Sequence, residues 1–107
     1  MRNENTRNLV EKFDQEWLEG GFLYRLREGE FDAHGCLRLE SLFHTLKQLD
    51  DATSDVIDRE LVRTLWFIPQ FVEWQTERAI DSGADAEAVH TAASNLRELV
   101  GEILGEP

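Results

Sequence analysis

At 107 residues, with 41% hydrophobic and 31% charged side chains, the chain has the length of one domain with a sizeable core and too many apolar residues for wholesale disorder. Its 22 acidic residues against 11 basic ones give a formal net charge of -11. That balance disfavours direct binding to nucleic acid or to an anionic membrane, since both draw affinity from Lys and Arg, and it favours attraction to a basic protein surface.

The single cysteine, Cys36, excludes an intramolecular disulfide and suits a reducing compartment. The opening run MRNENTRNLV lacks the continuous apolar stretch of a secretory leader, and no run of about 18 apolar residues suggests a membrane span. A cytoplasmic location is the expectation.

In chain order, Leu9, Val10, Phe13 and Trp17 share about 100° of a helical wheel. This spacing predicts a first helix over about residues 6–19, capped by Asn5 or Thr6 and stopped by Gly20-Gly21. In FLYRLREGEFDAHG, Phe22, Leu23 and Leu26 predict a short helix, which Gly29 and Gly35 keep from extending. Phe22 and Phe31 tuck under the bundle from this connector. Next, Leu39, Leu42, Phe43, Leu46 and Leu49 form a stripe about 120° wide, which predicts an amphipathic helix over about residues 36–49.

Asp50, Asp51, Thr53 and Ser54 mark a turn, with Ser54 as N-cap of a long helix that carries Ile57, Leu61, Leu65, Ile68 and Val72 and runs to Gly83. Asp85 caps a last helix, whose Val89, Ala92, Ala93, Leu96, Leu99, Val100 and Ile103 lie on one side. No segment alternates with period two. The expected fold is all-α: a single-domain bundle (residues 1–107) of four main helices plus one short one, with a long kinked central helix.

The kink follows from Pro69, which cannot donate to the Leu65 carbonyl and whose ring crowds the preceding turn. Around it runs WFIPQFVEWQ, where Phe67, Phe71 and Trp74 lie opposite the Leu65 stripe. A helix apolar on two faces predicts burial on both, between the third and fifth helices on one side and the first on the other. The alternative is an exposed aromatic patch or groove walled by Trp66, Phe67, Phe71 and Trp74, residue types enriched at the energetic centres of interfaces.

Candidate chemistry is sparse. DAHGC sets Asp32, His34 and Cys36 at alternate positions, but zinc takes three or four ligands at characteristic spacings and there is no second cysteine. Nothing beside Cys36 in sequence would activate it as a nucleophile. Carboxylate di-metal bundles use a Glu-x-x-His from each of two helices, and two such motifs do not occur. No catalytic residue, metal site or cofactor is predicted, and the chain reads as a non-enzyme; metal binding or catalysis through His34, Cys36 and the carboxylates is the third option.

Two acidic stripes remain. Glu73, Glu77 and Asp81 line one side of the fourth helix, and Glu87, Glu98 and Glu102 fall near one line of the fifth. By general character the chain resembles bacterial inhibitory proteins, such as toxin-immunity proteins and phage-encoded inhibitors. That resemblance implies a basic protein partner, a toxin or a nucleic-acid-processing enzyme, whose site is covered by carboxylates standing in for phosphates. The expected partner-binding set is Glu73, Glu77, Asp81, Glu87, Glu98 and Glu102, with Phe67, Phe71 and Trp74 as aromatic anchors. A helical subunit that forms a homodimer through the aromatic face is the alternative.

Overall fold

The computed structural model describes residues 4–48 and 59–104. Five helices account for most of them: α1 (Glu4–Gln15), α2 (Phe22–Arg27), α3 (Ala33–Gln48), α4 (Arg59–Asp81) and α5 (Ala86–Leu104). The all-α expectation, four main helices and a short one, matches this order. The expected Ser54 cap and Ile57 lie outside the described residues.

One apolar cluster joins the helices: Leu9, Val10 and Phe13 of α1, Phe22, Leu23 and Leu26 of α2, Leu39, Phe43 and Leu46 of α3, Leu61, Leu65, Ile68 and Val72 of α4, and Val89, Leu96 and Leu99 of α5. Phe13 meets Phe43 edge-on at 5.1 Å, locking α1 to α3. α5 packs on both α4 and α3, while α2 bridges α3 and α4. The face of α4 turned from α5 is therefore covered chiefly by α2 and by Trp17 from the preceding turn, rather than by α1. α4 runs unbroken across Pro69, which is buried.

The boundaries differ from the expected ones for physical reasons. α1 already includes Glu4, so Asn5 and Thr6 lie inside it, and it ends four residues early. What ends it is Glu16. The Phe22 N–H donates to Glu16 Oε1 at 2.9 Å, and the Leu23 and Tyr24 N–H groups donate to the Glu16 carbonyl at 2.9 and 3.1 Å. One residue thus satisfies three of the four N–H groups that a helix start leaves open, and the fourth, that of the N-cap Gly21, donates to the Leu18 carbonyl at 2.8 Å. A Cβ on Gly21 would collide with the Glu16 backbone, so this cap requires glycine there.

Gly35 is a second difference. It lies buried inside α3 rather than before it, and a Cβ there would meet Phe22 Cβ at 3.0 Å and Asp32 Oδ2 at 2.8 Å. Its missing side chain lets α2 settle on α3. α5 starts as expected, with the Ala88 N–H donating to Asp85 Oδ2 at 3.1 Å.

Candidate functional site

The exposed face of α4 gathers both signals from the sequence. Trp66 and Trp74 are 61% and 60% exposed, whereas Phe71 is 6% exposed. The rings form layers. Trp17 stacks on Phe67 at 5.6 Å and meets Phe71 edge-on at 4.7 Å, forming the inner layer. Phe67, half-buried, carries the outer layer, with Trp66 stacked at 6.4 Å and Trp74 edge-on at 5.9 Å. Arg27 closes the inner side, its guanidinium 5.9 Å from the Trp17 ring and 5.7 Å from Phe71.

This geometry corrects the aromatic set. Phe71 is core and supports the patch from beneath Trp17 without being available to a partner. Trp66, named in the sequence only as a groove wall, is an outer ring beside Phe67. Residues 66, 70, 73 and 77 repeat at helical spacing, so Trp66 shares its side of α4 with Glu73 and Glu77, while Trp74 and Asp81 lie on the adjoining line.

All six predicted carboxylates are exposed, but they are not equivalent. Glu73 accepts from Arg97 Nη2 across the α4–α5 seam, and Glu102 accepts from Lys47 Nζ at 2.8 Å across the α3–α5 seam. Glu77, Asp81, Glu87 and Glu98 form no ion pair among the described residues. On α5, Glu87 and Glu98 stand on the side away from the core, so the two acidic stripes do not merge into one face.

Groups with potential chemistry are tied up. Cys36 is buried, its Sγ lies 3.6 Å from Glu40 Oε1, and burial together with the Glu40 charge and hydrogen bond pushes its thiol up to about 12. It is held as a thiol, not a nucleophile. Accordingly, iodoacetamide at neutral pH is expected to alkylate Cys36 only as fast as the chain unfolds, with modification in denaturant at least about a hundredfold faster, measured by mass spectrometry. Alkylation of the folded chain at the rate of a free thiol would show that this environment opens.

Two Glu/His pairs stand one turn apart, Glu40 with His44 on α3 and Glu87 with His90 on α5, the second being one Glu-x-x-His where a carboxylate di-metal bundle takes two. Neither acquires a third ligand: no group of three His, Cys, Asp or Glu able to hold a metal occurs among the described residues. Asp32 pairs with Arg25 at 3.3 Å, and its charge adds to the upward push on the Cys36 thiol. No helix among the described residues is long and apolar enough to cross a membrane.

Beneath the α1–α3 side, an open cleft of about 680 Å³ is lined by Lys12, Leu18, Ser41 and Leu42, with the Glu16–Arg38 pair at its floor. Comparison of the chain with known families, characterised proteins and solved structures gives no match. The functional reading therefore rests on the geometry of the α4 face.

Proposed function

We propose that this chain is a small acidic binding protein that covers a basic surface on another protein. Trp66 and Trp74 are its apolar anchors, and Glu73, Glu77 and Asp81 frame them with negative charge. The observation that carries this reading is the exposure of two tryptophans on the same side of one helix as three carboxylates. Exposed singly, apolar residues need no explanation; two large rings on a shared half-buried Phe67 make a patch that does. Glu87 and Glu98 extend the field that steers a basic partner toward the molecule.

A toxin or a nucleic-acid-processing enzyme fits as partner, because such proteins present Lys and Arg arranged for phosphates and carboxylates can occupy the same donors. The cytoplasm fits as location, since Cys36 stays reduced there. Homodimerisation is the weaker alternative: a two-fold contact through this patch would place Glu77 and Asp81 against their own copies.

The test uses the tagged full chain and source-cell lysate at low salt, beside the variant E77K/E98K, whose carboxylates form no ion pair among the described residues. One basic protein is expected to be retained by the parent chain and lost as salt rises. The variant is expected to lower its association rate about tenfold or more, with a smaller change in dissociation. Identical rates for parent and variant, or a salt-insensitive dimer in light scattering with no partner retained, would overturn the proposal.

A further inference from the structure

We infer that the groove between α4 and α5 beside Trp74 receives an arginine side chain of the basic partner, an inference that rests on the proposed function and specifies its contact. The open groove measures about 390 Å³ and is lined by Glu73, Trp74, Thr76 and Glu77 of α4 and by His90, Ala93 and Arg97 of α5.

The carboxylate, aromatic and small parts of this lining suit a guanidinium. Ala93 keeps the α5 side low, and Thr76 turns its hydroxyl away to donate to the Val72 carbonyl at 2.9 Å, so neither competes for donors. Trp74, more than half exposed, offers an indole face on which a planar cation stacks. Glu73 and Glu77 stand one turn apart on the same side of α4. One guanidinium already sits there, for Arg97 donates to Glu73, while Glu77 makes no ion pair among the described residues.

The Arg97–Glu73 side chains are 62% and 50% exposed, so water screens the pair and an incoming arginine can exchange with it. Arg27, set over Trp17 and Phe71, shows the same ring cluster holding a guanidinium on its inner side. Arginine rather than lysine is specified because a planar fork both stacks and donates in parallel to a carboxylate. A net charge of -11 supplies the long-range attraction.

The test titrates the isotope-labelled full chain at low salt with three capped peptides that alternate glycine with arginine, lysine or citrulline, followed by NMR. The arginine peptide is expected to shift the Trp74 indole N–H and the Thr76 and Ala93 amides, and to bind at least about threefold more tightly than the lysine peptide. Citrulline is expected to leave all three signals in place. Arg97→Ala, which frees Glu73, is expected to tighten the arginine peptide about two- to fivefold. Arg63→Ala changes net charge equally but lies outside the groove, and is expected to have a smaller effect.

Equal binding of arginine and lysine peptides, or shifts confined to the outer side of α5, would overturn the arginine groove and leave the acidic-surface reading standing. If neither cationic peptide shifts any residue, both fall.

Discussion

Glu16→Ala is expected to lower the stability of the folded chain by about 2–4 kcal/mol, read as a fall in denaturation midpoint without a change in slope. The carboxylate is 4% exposed and accepts from Arg38 Nε at 2.6 Å and Nη2 at 2.8 Å, and from the Phe22 N–H. Removing it leaves the buried Phe22 donor without its acceptor and opens the start of α2. The loss is large beside a total of about 5–15 kcal/mol for an ordinary domain.

Burial by itself pushes the Glu16 carboxyl up. The Arg38 hydrogen bond, the Phe22 N–H and the Arg38 charge together outweigh it and hold the group below the ordinary carboxylate value. A lowered folded pKa means that the unfolded chain takes up the proton first as pH falls. The contribution is therefore complete above the ordinary carboxylate pKa and disappears as pH drops through the folded value. The gap between the parent and Glu16→Gln is expected to close over that acidic interval. A gap that stays constant from neutral pH to strong acid would mean the ionised form contributes nothing.

The second large effect is on binding. Trp66→Ala and Trp74→Ala are each expected to raise the dissociation rate of the captured partner about 10- to 100-fold, with association little changed. Because both rings are mostly exposed, thermal unfolding of either variant is expected to lie within about 1 kcal/mol of the parent. Phe71→Ala supplies the contrast: its ring is buried under Trp17, and truncation is expected to cost about 3–5 kcal/mol of folding stability. Unchanged dissociation in the Trp66/Trp74 double variant would move the contact away from α4.

α2 was readable from its own residues, since Phe22, Leu23 and Leu26 occur at helical spacing and all three are buried. The amphipathic stripes of α3 and α5 were equally plain. The end of α1 was not, because it is fixed by a carboxylate that bonds Arg38, 22 positions away, and no local pattern records such a pair. Gly35 reads as a helix breaker in sequence, yet it lies inside α3, where a Cβ would press on Phe22 of α2.

The helical wheel placed Phe67, Phe71 and Trp74 together on one side of α4. It had no means of showing that Trp17, from a turn some fifty residues earlier, covers Phe71 and leaves Trp66 and Trp74 outside. The acidic stripes were legible as positions. Which carboxylates are already neutralised depended on α4 meeting α5 and α5 meeting α3.

The division among the tryptophans also makes the molecule its own optical probe. Trp17 sits within ring contact of Phe67 and Phe71, where a soluble quencher has limited access, while Trp66 and Trp74 emit from water. Loss of tertiary packing reports through the first and occupation of the α4 face through the other two. Folding and partner binding can thus be followed separately in the unlabelled chain.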